Sequence, residues 1–291
     1  MRDFVIATDS DTEIPLSFAD KYDMPVFLMP YTVDGEERLF DLGRNTDIIG
    51  FYKELANGAD AITNTRPPAD IAEWFRDIIK GGKDVLYLSF SSALSGHYDL
   101  SQMARLEVLE EFPDARIEIV DTLRISMGAG ILVMQAQQLK DEGKSLEEIR
   151  DWVIDNRQRA HAWFSVNDLN YLKKGGRLSG AQAAIGTLLD VKPILKINRE
   201  GKIVAADKVK GTKKILKFFL DVIQQNVEQP ESQTAFVLHA DNLDGAEKMR
   251  ALIEENVNFK NVVIQDIGPV IGCHTGPGVL AVVFMGKPAA S

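Results

Sequence analysis

Short apolar segments of strand length alternate with segments of helical period through much of the first half of the chain. Apolar residues without polar alternation are typical of strands buried in a parallel sheet. The segments of this kind are Phe4–Ala7, Val26–Met29, Val85–Phe90 and Ile117–Val120. Between them, apolar side chains recur at helical spacing at Ile71, Trp74, Phe75, Ile78 and Ile79. We therefore predict a helix that ends at Gly81-Gly82, a second from Ser95 toward Glu111, and a third starting near Ser126.

The pattern changes in the second half of the chain. Ser145 and Glu148 fit a capping box that opens one more helix. The strand-like segments Lys192–Asn198 and Lys202–Lys210 then flank Gly201, which predicts an antiparallel hairpin with Gly201 at positive φ. Apolar runs at 235–238, 262–267 and 279–284 alternate with helical segments. We expect an α/β protein with an N-terminal parallel-sheet domain, residues 1–160, and a C-terminal α/β domain with a mixed or antiparallel sheet, residues 161–291.

Charge and cysteine content narrow the possible partners. The 291 residues carry a formal net charge of −10, which repels nucleic-acid backbones and anionic lipid surfaces. One cysteine excludes an intrachain disulfide and a cysteine-built metal site within one chain. No segment reaches the roughly 18 apolar residues of a membrane span, and the N-terminal apolar run is too short for a signal peptide. We expect a cytoplasmic protein with no integral membrane segment and no nucleic-acid partner.

Three hydroxyl-bearing turns lead from strand to helix. They surround Thr65 and Arg66, Ser95 to His97, and Ser126. The N–H groups of a first helical turn lack partners, so such turns at one end of a parallel sheet form a crevice suited to an anion. Gly96 would let a ligand approach the backbone. The alternative is that Thr65 and Ser95 are simple helix N-caps.

The segment Asp9-Ser10-Asp11-Thr12 follows the first apolar strand and permits two interpretations. It matches the D-x-D-x-T pattern of haloacid-dehalogenase-type phosphatases, in which a strand-end carboxylate attacks phosphorus. Asp241–Asp244 would then supply a metal-binding acidic pair. Alternatively, Asp9 and Ser10 stabilise a turn through local hydrogen bonds, and Asp241–Asp244 caps the helix that follows.

His274 lies in a segment, 267–278, that also holds Cys273 and several glycines and prolines, and we interpret this segment as a loop with a specific backbone path. The other histidines are far away in sequence and give no zinc-ligand spacing. A Ser95–His274 hydrolase pair lacks the usual motif around the serine.

A basic glycine turn at 171–179 either ends a helix or contacts an anion or partner. The apolar stretch 181–191 that follows fits a core helix or a pocket wall.

In this order, the segments resemble the DegV family of bacterial fatty-acid-binding proteins, which includes the fatty-acid-carrying subunit of the bacterial fatty acid kinase. The resemblance covers nearly the whole chain. The segments that carry it are Thr8-Asp9-Ser10, Thr65-Arg66-Pro67-Pro68, Ser91-Ser92-Ala93-Leu94-Ser95-Gly96-His97-Tyr98, Asp121-Thr122, Ser126-Met127-Gly128, Leu172-Lys173-Lys174-Gly175-Gly176-Arg177-Leu178-Ser179, Lys192-Pro193-Ile194, Gly268-Pro269-Val270-Ile271-Gly272 and His274-Thr275-Gly276. The family's T-D-S start also accounts for Asp9, against the phosphatase interpretation.

The resemblance implies a buried long-chain fatty acid whose carboxylate lies near the domain interface, and no catalytic residue, metal or cofactor. It assigns the carboxylate to Thr65, Ser95, Gly96 and His274. Hydroxyls, amides and an imidazole can offset the lost hydration of a buried carboxylate. Further head-group contacts are expected from Arg66, His97 and Ser126, and an acyl-chain wall from Ile185, Leu188 and Ile271.

The chain departs from the family pattern at several of these positions. It has Arg66 where many relatives have the serine of T-S-Q-P, and His97 where they have the threonine of S-G-T. Lys210 occupies the place of an arginine that kinase-associated members use for partner docking; lysine keeps the charge but loses the bidentate geometry. A separate kinase subunit, to which the fatty acid would be presented for acyl-phosphate formation, is therefore an expected partner on resemblance alone.

Overall fold

The computed structural model describes residues 3–178 and 191–289. Its strands form three sheets. The strands are β1 (Phe4–Asp9), β2 (Val26–Phe27), β3 (Met29–Val33), β4 (Glu36–Phe40), β5 (Ala61–Thr63), β6 (Asp84–Ser89), β7 (Ile117–Asp121), β8 (Ala160–Ser165), β9 (Lys192–Ile197), β10 (Ile203–Val209), β11 (Thr234–His239), β12 (Asn261–Asp266) and β13 (Leu280–Met285). The α-helices are α1 (Leu16–Lys21), α2 (Ile48–Ala56), α3 (Pro68–Lys80), α4 (His97–Glu111), α5 (Met127–Asp141), α6 (Leu146–Asn156), α7 (Leu169–Lys174), α8 (Thr212–Asn226), α9 (Leu243–Asn256) and α10 (Pro269–Thr275).

The first sheet is parallel, as predicted, with strand order β2-β1-β6-β7. Strand β6 is buried along its whole length, in agreement with its continuous apolar sequence. The predicted single strand Val26–Met29 is wrong, because the chain leaves this sheet after Phe27 and enters a second sheet at Met29. The Met29 N–H donates to Ser10 Oγ at 2.9 Å at this crossing.

The second sheet was not expected from the sequence. It is antiparallel, with order β4-β3-β5, and all three strands come from residues 29–63. The third sheet is mixed, with order β10-β9-β8-β13-β11-β12, and among its described strands only β11 and β12 pair in parallel. Every strand of the third sheet follows residue 159. The domain boundary at residue 160 stays a prediction.

Most of the predicted local features are present. Helix α3 ends before Gly81 and Gly82, and α5 begins directly after Ser126. Ser145 and Glu148 form the predicted capping box at α6. Gly201 turns the β9–β10 hairpin at a φ of 79°. Alanine or a larger residue would be strained at that backbone angle.

Three predicted details are wrong. Thr65 does not cap α3, since Pro67 occupies the N-cap position and no side chain makes a capping hydrogen bond there. Asn242, in the predicted capping segment 241–244, occupies the N-cap position of α9, but its side chain makes no capping hydrogen bond. Segment 269–275, expected as a loop, is helix α10: Pro269 fits its first turn and Gly276 ends it at a φ of 68°.

Two polar side chains hold the hairpin of the third sheet against the ends of the first sheet. Ser91 Oγ donates to the Gly201 carbonyl at 3.0 Å. Arg124 is 1% exposed, and its guanidinium donates to the carbonyls of Ala160 at 2.8 Å and Asn198 at 3.0 Å. These contacts bring one face of the third sheet over the carboxyl ends of the parallel strands.

Candidate functional site

A cavity of about 350 Å³ lies between the carboxyl ends of the parallel strands and one face of the third sheet. Loops after β1, β6 and β7 line one side, and strands β8, β9, β10, β11 and β13 line the other. The carboxyl ends of parallel strands are where open α/β sheets usually bind ligands. The volume falls in the range of small-molecule sites, roughly 300–1,000 Å³.

The alternation of side chains along β13 makes the cavity wall apolar. Ala281 and Val283 face the cavity, whereas Val282 and Phe284 pack on the opposite face in the cluster formed with α8 and α9. Successive side chains of a strand point to opposite faces, so one apolar strand supplies both a core and a cavity wall. Phe164 of β8, Ile197 of β9 and Leu238 of β11 extend this wall.

His274 projects from α10 into the cavity. Its Nε2 atom lies 2.9 Å from Thr63 Oγ1, and its Nδ1 atom is buried without a partner in the described part of the chain. Burial, assisted by the positive charge of Arg177, lowers the pKa of His274 to about 4. The imidazole is therefore neutral near pH 7.

Gly175 and Cys273 fix the surroundings of His274. A Cβ atom at Gly175 would overlap the imidazole, so the close approach of α7 to α10 requires glycine there. Cys273 is buried, and burial raises the pKa of its thiol to about 12. A thiol held protonated is a poor nucleophile, so Cys273 is a packing residue.

Strand β5 and the residues after it supply polar groups at the opening of the cavity. Thr63 is partly buried against His274, whereas Asn64 and Thr65 are exposed and also line the cavity. Asn64 Nδ2 donates to Thr32 Oγ1 at 3.0 Å, which fixes the amide. Thr65 belongs to this group of cavity-lining residues. Its side chain does not cap α3, as the alternative interpretation of the sequence required.

Ser95 lines the cavity from the turn before α4. Its Oγ atom accepts a hydrogen bond from the His97 N–H at 3.2 Å, which leaves the hydroxyl hydrogen able to donate. No hydrogen bond joins the side chains of Ser95 and His274, so the nucleophile–base pair of a hydrolase is not formed. Gly96 occupies the N-cap position of α4, is exposed, and is absent from the described cavity wall.

Arg177 brings a positive charge to the cavity. It follows α7, and its Nε atom donates to the Leu94 carbonyl at 3.0 Å while Nη1 donates to the Gly175 carbonyl. Burial lowers its pKa, but a guanidinium stays protonated at neutral pH. The basic glycine turn thus both ends α7 at Gly175 and delivers a cation to the cavity.

Ser126 lines the cavity at the start of α5, with its hydroxyl donated to the Glu13 carboxyl group. The same carboxyl accepts the Gly268 N–H at 2.5 Å, in front of α10. Burial raises the pKa of Glu13 to about 7. Because its hydrogen is already used, Ser126 can offer a ligand only an acceptor, which does not suit a carboxylate.

His97 is in the core. It is fully buried and stacks on Phe90 at 5.6 Å between ring centroids, and its Nε2 atom lies 2.7 Å from the Tyr87 hydroxyl. Burial lowers its pKa to about 4. The predicted head-group contact from His97 does not fit this position.

The other residues predicted for the head group, the acyl-chain wall and partner docking do not all lie at the cavity. Arg66 pairs with Asp70 at 2.6 Å and lies over the Phe27 ring, outside the described cavity wall. Ile271 lines the cavity. Lys210 is exposed just after β10. Ile185 and Leu188 lie outside the described residues.

Asp9 is unsuited to attack a substrate. It is fully buried, and its carboxyl group accepts hydrogen bonds from the Tyr87 hydroxyl at 3.0 Å, the Phe90 N–H at 3.2 Å and the Asp11 N–H at 3.1 Å. The local-turn interpretation of Asp9 is thereby confirmed. Within residues 3–178 and 191–289, no three histidine, cysteine or acidic side chains cluster as a metal site would require.

The polar cavity residues that were not selected from the sequence include Asp11, Thr63 and Arg177. The charge of Arg177 in an acidic chain was the available signal, and helix termination explained it equally well. Thr63 had no signal apart from its nearness to Thr65. Asp11 was visible only as part of a phosphatase-like pattern.

The comparisons with known proteins agree with this architecture. A DegV domain-containing protein of Clostridium perfringens is 40% identical over 286 residues, 98% of each chain. A DegV family protein of Thermus thermophilus, whose structure is described as showing fatty acid binding, superposes with a TM-score of 0.86 at 28% identity, over 98% of this chain and 100% of that one. A fatty acid binding DegV family protein of Streptococcus agalactiae superposes with a TM-score of 0.86 at 29% identity, over 99% and 100%.

None of the helices in the described ranges is both long and apolar enough to cross a membrane.

The sequence model of the DegV family, whose members are described as uncharacterised proteins, matches residues 3–287. The matched range includes every described element around the cavity. The chain belongs to the DegV family.

Proposed function

We propose that the protein binds one long-chain fatty acid, with the acyl chain in the cavity and the carboxylate beside Thr63, Thr65, Ser95 and His274. The observation that carries the proposal is a cavity with a mostly apolar wall and a few hydroxyl, imidazole and guanidinium groups among its lining. The fatty-acid-binding relatives from Thermus thermophilus and Streptococcus agalactiae, which share the fold, support it.

The acyl chain would provide most of the affinity. Each methylene moved from water into an apolar site contributes roughly 0.8 kcal/mol, so a dozen contribute on the order of 10 kcal/mol before the costs of binding. The polar groups then serve mainly to orient the carboxylate and to replace its hydration.

His274 acts on the carboxylate through Thr63. Of its two neutral tautomers, the one with hydrogen on Nε2 leaves Nδ1 as an unpartnered acceptor, which costs less than an unpartnered buried N–H. In that tautomer Nε2–H donates to Thr63 Oγ1, and the threonine hydroxyl can donate its own hydrogen to the ligand. The Arg177 guanidinium provides the positive charge that favours an anion.

We test the proposal by native mass spectrometry of protein purified from bacteria without added lipid, followed by denaturing analysis of the released molecules. A fatty acid at one per chain is expected. The paired replacements Ser95→Ala and Thr65→Ala should lower fatty-acid occupancy, and unchanged occupancy would refute the head-group assignment. A protein that is empty and takes up no fatty acid would refute the function.

Delivery of the fatty acid to a separate kinase extends this proposal. The protein would then hold the ligand without chemistry of its own while the kinase phosphorylates the carboxylate, in the cytoplasm. Lys210, exposed after β10, is the proposed docking residue. Acyl-phosphate formation with a fatty acid kinase catalytic subunit and ATP should fall when Lys210 is replaced by Glu, while fatty-acid binding stays intact; equal rates would exclude Lys210 from docking.

A further inference from the structure

Asp11 is a buried carboxyl group in the cavity wall whose Oδ1 atom lacks a hydrogen-bond partner among residues 3–178 and 191–289. It is 4% exposed. Its backbone is held on both sides, because its N–H donates to Asp9 Oδ1 at 3.1 Å and its carbonyl accepts the Ser126 N–H at 2.9 Å. A fixed, buried and unsatisfied polar group in a cavity calls for a partner on the ligand.

The groups around Asp11 favour its neutral form. Burial raises its pKa well above the ordinary value, and the negative charges of Asp9 and Glu13 on its own segment act in the same direction. Arg177 opposes them only in part, and its Nε and Nη1 atoms donate to main-chain carbonyls. Tyr87 of β6 and Cys273 of α10 also interact electrostatically with Asp11, and both are neutral near pH 7. His274, which lines the same cavity, is neutral as well.

Asp11 lines the same cavity as Ser95, Arg177 and His274. The charge of Arg177 acts on both Asp11 and His274, which places all three groups within electrostatic range of one another. A protonated carboxyl group has one O–H donor, and a ligand carboxylate has only acceptors. Two carboxyl groups that share a site cannot both ionise, so one proton between them is the stable state.

We propose that Asp11 is a head-group residue that stays protonated and donates a hydrogen bond to the ligand carboxylate, so that the two carboxyl groups share one proton. This inference rests on the proposed fatty-acid function and adds a proton requirement to it. The site would recognise a carboxylate as an acid–anion pair, supported by neutral donors and one guanidinium.

The proton requirement fixes the sign of the pH dependence. Below the pKa of Asp11 the donor is present and affinity for the carboxylate is constant. Above it the residue ionises, faces the ligand anion, and affinity falls by up to about tenfold per pH unit. A neutral ligand with a hydroxyl head group, which can donate to an ionised Asp11, should not show this loss.

The test measures displacement of a fluorescent fatty acid by oleate and by oleyl alcohol between pH 6.5 and 9.5. In the wild-type protein, preference for oleate over the alcohol should fall as pH rises. Asp11→Asn should bind oleate on the order of threefold more weakly at pH 7, because an amide N–H is the weaker donor, but its preference should not change with pH. Asp11→Ala should lose on the order of tenfold at pH 7.

The matched control is Glu13→Gln, which removes a neighbouring buried carboxyl outside the described cavity wall and should keep the alkaline decline. A decline that persists in Asp11→Asn, or disappears in Glu13→Gln, would overturn the assignment. If the Asp11 variants fail to fold, the proton balance can be measured on the wild-type protein by calorimetry at alkaline pH in buffers of different ionisation enthalpy. Uptake of up to one proton on oleate binding would support the proposal. Binding without proton uptake would overturn it. Failure of the wild-type protein to bind oleate at any pH would refute the proposed function itself.

Discussion

Gly175→Ala should destabilise the protein through one steric clash. The backbone of Gly175 has a φ of −71° and a ψ of −6°, which alanine adopts without strain, so the replacement would otherwise stabilise by about 0.4–1 kcal/mol. A Cβ atom at this position overlaps His274 Nδ1 and lies 3.0 Å from Cε1 and 3.3 Å from Cγ. Overpacking of this kind costs about 1–3 kcal/mol, so we expect a net loss of about 1–2 kcal/mol and, for a chain of this length, a fall in Tm of about 2–3 °C.

A double-mutant cycle separates this clash from other effects of the replacement. In a His274→Ala background the imidazole is absent, and Gly175→Ala should be neutral or slightly stabilising. The free energy of unfolding of all four proteins, measured by urea denaturation, gives the coupling. Equal destabilisation in both backgrounds would refute the claim that α7 approaches α10 through a glycine–histidine contact.

Three further predictions concern the polar groups around the cavity. Thr63→Val should lower oleate affinity by about tenfold while Thr63→Ser retains most of it, and equal affinities in a displacement assay would exclude the Thr63 hydroxyl from binding. Arg124→Met should lower the free energy of unfolding by about 2–4 kcal/mol, because buried carbonyls lose their donors; a loss below about 1 kcal/mol in urea denaturation would contradict this. The raised pKa of Glu13 means that its contribution to stability is complete below pH 4.5 and is lost as pH rises to about 7. The stability of Glu13→Gln relative to wild type should therefore increase over this interval, by at most about 3 kcal/mol, and a flat difference would refute the assignment of this pKa.

Local rules of sequence predicted the helices and strands that depend on near neighbours. The capping box at Ser145, the stop at Gly81 and the positive φ of Gly201 each follow from the chemistry of a few adjacent residues. The second sheet was missed because its strands are only three to five residues long and are defined by pairing with one another. The break after Phe27 was missed for the same reason.

The position of each polar residue relative to the cavity depended on distant parts of the chain. His97 and Ser95 are two residues apart, yet only Ser95 lines the cavity, because Phe27 and Phe90 enclose the imidazole of His97. Thr63 meets His274 across 211 positions of sequence. No local pattern predicts such a pair.

By itself, the sequence determined the α/β class, the parallel and mixed sheets, the hairpin and the family, because apolar periodicity, turn chemistry and ordered motifs are local properties. Only the tertiary structure decided which carboxyl groups are buried, which histidine reaches the cavity, and that Asp11 Oδ1 has no partner within the described ranges. Burial, pKa and hydrogen-bond partners are set by whatever packs against a residue, and at this site the neighbours come from both halves of the chain.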